Sequence, residues 1–182
     1  MEKNWNEEER IKEFERSIPP MFNEDLRELM VKKNFFSAPS SANKHGAFEG
    51  GLFWHSRMVA ILLREYTDKL NLKWERPESP EIIAWTHDLC KMDEFEKARN
   101  GDGALCYAKK HDTILSGHGT KSAIMALSKM YLTDEEITCI CWHMGAFEGK
   151  EKWDAYCSAV KRYQNILWVH QADMVASQVK GI

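Results

Sequence analysis

The chain has 182 residues, five cysteines and a formal net charge of −3. This length fits one domain with a hydrophobic core. No stretch approaches the roughly 18 consecutive apolar residues of a transmembrane helix, and the polar, acidic N-terminus lacks a signal-peptide core. The odd cysteine count without a C-x-x-C pair indicates neither a disulfide framework nor a structural zinc site. We therefore expect a reduced, cytoplasmic protein without a membrane partner.

Helical periodicity dominates the chain. In chain order it predicts helices over residues 6–17, 23–33, 51–70, 80–91, 117–131 and 133–143, and one or two helices over 153–179. A long loop is expected over residues 34–50, and the glycines at 101 and 103 predict a loop or a short β-hairpin within 93–112, with the hairpin near 103–108. Expected N-caps are Asn23 and Ser79, and Thr133 with Glu136 has the spacing of a capping box. The sequence predicts an all-α single-domain bundle, with an N-terminal helical segment (1–33) packed on the main region (34–182).

Three short segments carry residue types that bind metals. His55 lies on the apolar face of its predicted helix, His87 and Asp88 are adjacent at the end of an apolar run, and Asp173 lies near the C-terminus. A lone buried histidine is more often a core residue, and a His-Asp pair at a helix end is often a plain charged pair. Taken together, these imidazole and carboxylate donors suit a divalent transition metal (Mn, Fe, Co, Ni or Zn) better than Mg.

The order histidine, His-Asp and distant aspartate resembles the ligand motif of the HD phosphohydrolase superfamily, in particular its bacterial and phage single-domain members. The resemblance also covers the segments 38–52, 117–122 and 141–145. It implies an HD-type helical bundle with one or two metal ions between its helices. The ligands implied for the first ion are His55, His87, Asp88 and Asp173, and those for a second ion are His118 and His143, with Asp88 as a bridge.

The resemblance further implies hydrolysis of a phosphoester by a metal-bound hydroxide, because a metal ion lowers the pKa of bound water from about 15.7 towards 7. The expected catalytic residues are Asp88 and Lys91, since HD proteins often carry a lysine three residues after the aspartate, where its ammonium would stabilise the phosphoryl group. Candidate substrate-binding residues are the basic side chains Lys44, Arg57 and Lys121. Phe147 and Phe48, both beside glycine-rich loops, are candidates for stacking on a base.

The partner expected from this chemistry is a small phosphorylated substrate, most simply a nucleotide. The slightly acidic balance argues against binding to duplex nucleic acid. Three alternatives stay open: a 3′–5′ exonuclease on short single strands, a non-catalytic metal- or nucleotide-binding module, and a structural bundle without metal. The exonuclease predicts a cationic groove. The first 33 residues are expected to cover the site or to form a homodimer contact.

Overall fold

The computed structural model describes residues 4–20, 22–111, 115, 117–147 and 149–182, and these ranges are mostly helical. They contain eight α-helices: α1 Glu7–Ser17, α2 Glu24–Lys32, α3 Gly51–Leu70, α4 Ser79–Thr86, α5 His118–Leu127, α6 Asp134–Trp142, α7 Trp153–Arg162 and α8 Asn165–Met174. An antiparallel hairpin, β1 Phe95–Arg99 and β2 Leu105–Lys109, separates α4 from α5. The predicted all-α class with one short hairpin is confirmed, although the hairpin is longer than predicted. Residues 1–3 and 21 of the predicted N-terminal segment lie outside the described ranges.

Two of the predicted helix caps are present and one is not. Asn23 caps α2, and Thr133 forms the expected reciprocal capping box with Glu136 at α6. The prediction for Ser79 is wrong, because Ser79 is the first residue of α4 and the N-cap position belongs to Glu78. The Ser79 hydroxyl instead donates a hydrogen bond of 2.8 Å to the buried Glu136 carboxylate. A charged acceptor is the stronger partner, so a tertiary contact takes the place of the local cap.

Helix α4 ends at Thr86, earlier than the predicted limit of residue 91, and a 3-10 turn follows over Leu89–Met92. His87 still closes the last turn of the helix, whereas Asp88 has left the helical conformation, with φ −114° and ψ 21°. Both side chains are buried. The break in the helix therefore allows two consecutive residues to face the same interior site.

A single hydrophobic cluster extends through the described residues. Trp54 and Trp85, which directly precede the segments with the predicted ligands, are each 1% exposed and belong to this cluster. The N-terminal helices add Phe14, Leu26 and Met30 to it. None of the helices in the described ranges is long and apolar enough to cross a membrane.

Packing of four helices brings the candidate ligands together. Helix α3 packs against α4 and α8, and α6 packs against the same two helices. His55 lies in α3, His87 and Asp88 follow from the end of α4, His143 closes α6, and Asp173 lies in the last turn of α8. The candidate site is therefore an interhelical site built mainly from helix ends.

Candidate metal centre

Four residues predicted to bind one ion converge in the structure. His55 Nε2 lies 3.4 Å from Asp88 Oδ2 and 3.1 Å from Asp173 Oδ1. His87 Nε2 lies 3.3 Å from the same Asp88 oxygen. Donor atoms of His55, His87 and Asp88 all lie within 4.8 Å of one another. Ligands that share one ion at bond lengths of about 2.0–2.2 Å have separations of this size.

Hydrogen bonds fix the orientation of the two histidine rings. His55 Nδ1 lies 3.0 Å from the carbonyl oxygen of Ile182, and His87 Nδ1 lies 2.9 Å from that of Ala84. Because a carbonyl oxygen only accepts, we assign the ring hydrogen to Nδ1 in both residues. Neither Nε2 atom then carries a hydrogen, and the lone pairs of these two atoms, which lie 3.2 Å apart, come close together. Such lone pairs repel unless a positive charge lies between them, and histidines held in this way are typical metal ligands.

His143 faces Oδ1 of Asp88, the carboxylate oxygen that His55 and His87 do not face. Its Nε2 lies 3.6 Å from Asp88 Oδ1, and its Nδ1 donates to the carbonyl of Ile140 at 2.7 Å. Asp88 Oδ1 is buried, and no described residue donates a hydrogen bond to it. His170, three residues before Asp173 in the chain, donates from Nδ1 to the backbone oxygen of His143 at 2.8 Å. Burial would lower the pKa of His143, but Asp88 outweighs that effect and raises it, so this side of the site attracts positive charge.

His118 lies at the start of α5 and is one third exposed. Its Nδ1 lies 3.4 Å from Cys90 Sγ and 3.7 Å from Glu94 Oε2. Donor atoms of Asp88, Cys90 and His118 lie within 4.8 Å of one another. Cys90 and Glu94 did not emerge from the sequence as candidate ligands, although both follow Asp88 closely. Burial raises the pKa of the Cys90 thiol to about 12.

Electrostatics keep the carboxylates of the centre ionised. Burial alone would raise the pKa of Asp88, but the Lys91 ammonium, 2.6 Å from Oδ2, and the neighbouring histidines hold this pKa well below its usual range. For Asp173, burial again acts to raise the pKa, and the nearby His55 ring lowers it by more. Burial lowers the pKa of His87. At neutral pH the site therefore offers ionised carboxylates and a neutral imidazole, which are the forms that bind a divalent cation.

A cavity of about 190 Å³ opens beside this cluster. Its lining includes Lys44, His45, Lys91, His118, Phe147 and Asp173. Lys44, Lys91 and Phe147 were candidates from the sequence, whereas His45 was not. Burial, with a contribution from Lys91, lowers the pKa of His45, which adds a neutral imidazole to the cavity wall.

The other two predicted substrate-binding residues lie elsewhere. Arg57 forms an ion pair with Glu13, with 2.9 Å between Nη2 and Oε1, and its guanidinium stacks over the ring of Trp5. Lys121 forms an ion pair with Asp93 and lines a separate cavity of about 150 Å³. The cavity beside Asp173 thus contains only Lys44 of the three predicted basic residues.

No protein-family model, curated protein or solved structure matches this chain. What the structure defines is a helical protein with a buried His/Asp group that is able to hold a metal ion.

Proposed function

We propose that this chain is a metal-dependent phosphohydrolase of the HD superfamily that acts on a nucleotide or a similar small phosphorylated substrate. The main support is the buried pair of His55 and His87, whose Nε2 atoms lie 3.2 Å apart while both Nδ1 atoms are bound to carbonyl oxygens. Asp88 and Asp173 complete the group. The order of these residues along the chain supplies the resemblance to HD proteins, and the geometry supplies a physical reason for a cation.

The donor set fits a divalent ion. When bound, such an ion would act as a Lewis acid and make a water molecule more acidic. Residues that would hold it are His55, His87, Asp88 and Asp173, and in a two-ion arrangement His118 and His143 as well. The mixture of imidazole nitrogen and carboxylate oxygen favours Mn, Fe, Co, Ni or Zn over Mg.

Lys91 would bind the phosphoryl group of the substrate. Its side chain lines the cavity and is 12% exposed, with its ammonium on Asp88. Burial would lower the pKa of Lys91, but the Asp88 carboxylate raises it by more, so the side chain stays charged. A fixed cation of this kind stabilises negative charge that develops on the phosphoryl oxygens.

The remaining cavity wall favours one small anionic molecule over a single strand of nucleic acid. Lys44 adds a second ammonium group to the lining. Phe147 is 69% exposed and gives the same cavity an aromatic surface on which a base can stack. A single-strand exonuclease would need a longer positive groove that follows the backbone. The few basic residues that line this cavity therefore support a nucleotide-sized substrate.

The test combines metal analysis with a hydrolysis assay. Purified protein is analysed for bound metal, and phosphate release is measured on a panel of nucleotides and one single-stranded oligonucleotide, with added Mn, Co, Ni or Mg. We expect near-stoichiometric transition metal and hydrolysis of a nucleotide. His87→Ala and Asp173→Asn should lose the metal and at least about 100-fold of the activity. His111→Ala is the matched control, because His111 is exposed.

Each alternative has its own outcome. Preferential cleavage of the oligonucleotide would favour the exonuclease. Bound metal without hydrolysis of any substrate on the panel would favour a non-catalytic binding module. If the wild-type protein contains no metal and its melting temperature does not change with chelator or added ions, the bundle is structural and the proposal is wrong.

A further inference from the structure

Cys90, Glu94 and His118 form a group of donor atoms that we call the thiol cluster. His118 Nδ1 lies 3.4 Å from Cys90 Sγ and 3.7 Å from Glu94 Oε2. All three residues line the cavity of about 150 Å³. The amide of Cys90 donates to the Ser122 hydroxyl at 3.1 Å, so the backbone that carries the thiol is anchored to α5.

Two features of the thiol cluster, one at His118 and one at Glu94, indicate a cation. His55 and His143 direct Nδ1 at backbone carbonyl oxygens, whereas His118 directs Nδ1 at a thiol and a carboxylate. Glu94 is 7% exposed, and its Oε2 is buried with no hydrogen-bond donor among the described residues. An ionised oxygen that is buried without a donor is costly. A cation bound at the thiol cluster would remove this cost.

We propose that the thiol cluster is a second cation site, bound through Cys90 Sγ, His118 Nδ1 and Glu94 Oε2, which selects a thiophilic divalent ion such as Zn²⁺. In this proposal His118 is a ligand of the thiol cluster in place of its role in a two-ion arrangement of the His/Asp group. With bonds of about 2.3 Å to sulfur and about 2.0–2.2 Å to nitrogen and oxygen, neighbouring ligands of a tetrahedral ion lie roughly 3.3–3.6 Å apart. The separation of 3.4 Å between Cys90 Sγ and His118 Nδ1 agrees with these values, and the separation of 3.7 Å between His118 Nδ1 and Glu94 Oε2 is slightly longer. Sulfur ligation favours Zn²⁺ over Mg²⁺ or Mn²⁺.

Charge around the thiol cluster is close to balanced. Lys109 Nζ lies 2.7 Å from Glu94 Oε1, whereas His118 Nδ1 lies 3.7 Å from the other oxygen, Oε2. This lysine is 61% exposed, so its side chain is free to move into solvent when a cation arrives. Lys121 is already neutralised by Asp93. An ion bound to sulfur displaces the thiol proton, which leaves to solvent, and the resulting thiolate and Glu94 carboxylate together match the charge of one divalent ion.

Cobalt provides a readout that requires no hydrolysis. Co²⁺ takes the place of Zn²⁺, and a sulfur ligand gives a charge-transfer band in the near ultraviolet that nitrogen and oxygen ligands do not. Metal-free full-length protein is titrated with Co²⁺, and bound Zn²⁺ is counted separately. We expect the band in the wild type and its loss in Cys90→Ser, with one Zn²⁺ fewer bound. Glu94→Gln should weaken the affinity that the band reports by at least about 10-fold. Cys157→Ser is the control, because Cys157 lies in α7 and is not part of the thiol cluster.

The experiment separates this site from the proposed hydrolytic centre. Asp173→Asn should remove the ion held by the His/Asp group and leave the charge-transfer band in place. If the wild type shows no band, or if the band persists in Cys90→Ser with circular dichroism unchanged, the thiol cluster is not a metal site and its contacts are hydrogen bonds only. That result would leave the ion at the His/Asp group unaffected.

Discussion

His55 Nδ1 donates a hydrogen bond of 3.0 Å to the backbone oxygen of Ile182, a residue 127 positions later in the chain. The C-terminal segment reaches this place through a π-helical turn over Val175–Val179 and through Gly181, which has φ +68°. The amide of Ile182 in turn donates to the Ala176 carbonyl at 3.1 Å, and Ile182 is only 3% exposed. The orientation of a candidate metal ligand therefore depends on how this segment folds.

Removal of Gly181 and Ile182 should weaken metal binding. Without the Ile182 oxygen, the His55 ring is free to rotate and to change tautomer, and loss of such a supporting contact typically costs about 10–100-fold in metal affinity. The measurement is a metal titration by calorimetry, with circular dichroism to show that the helices remain. Val179→Ala is the control, because Val179 is 70% exposed in the same segment. Unchanged affinity after the truncation would show that the contact with Ile182 does not orient His55.

Lys91→Met should affect metal binding and catalysis in opposite directions. The Lys91 ammonium lies 2.6 Å from Asp88 Oδ2, the oxygen that also faces His55 and His87, so it competes with a metal ion for the same oxygen. Its removal should raise the affinity for the ion. Under the proposed function, the rate of hydrolysis should fall by about 10²–10³-fold, because the phosphoryl group would lose its cation. Lys69→Met, at a residue 69% exposed, should change neither quantity. Weaker metal binding with full activity would contradict the role given to Lys91.

Gly145→Ala should disturb the support beneath His143. Gly145 has φ +56°, and a Cβ atom placed there would come within 2.8 Å of the His170 ring, which holds the His143 carbonyl. The left-handed conformation alone costs about 1–2 kcal/mol for an alanine, and the ring has to move as well. We expect a lower melting temperature and weaker metal binding. Gly101→Ala is the control, because a Cβ atom at Gly101 would meet nothing within 4 Å. Equal melting temperatures for the two variants would contradict this account.

Arg76→Met should be among the more destabilising substitutions outside the site. Arg76 makes a two-pronged ion pair with Glu136, at 2.7 and 2.6 Å, and the Glu136 side chain is fully buried. Loss of Arg76 leaves the buried Glu136 carboxylate without an opposite charge, which costs about 3–5 kcal/mol. Chemical denaturation measures this loss. Arg64→Met removes a half-exposed partner of Glu81 and should cost less than about 1 kcal/mol. Similar losses in the two variants would show that burial does not set the strength of the Arg76 pair.

Local sequence signals predicted most helices because they depend on neighbours within a few residues. The capping box of Thr133 and Glu136 is an example, since both partners lie in one helical turn. The prediction for Ser79 was wrong because its hydroxyl binds a carboxylate 57 positions away. The early end of α4 was missed for a related reason, because apolar periodicity continues through a change from α-helix to 3-10 turn.

The sequence by itself determined the helical class, the hairpin and the residue types and order of the candidate ligands, because periodicity, turn residues and donor chemistry are local properties. Only the tertiary structure decided which atoms meet. It brought the Nε2 atoms of His55 and His87 to within 3.2 Å of each other and placed Lys44 in the lining of the cavity. It also paired Arg57 with Glu13 and brought the residues of the thiol cluster together. These contacts depend on packing between helices distant in the chain and on backbone oxygens, and a backbone oxygen has no signature in the amino-acid sequence.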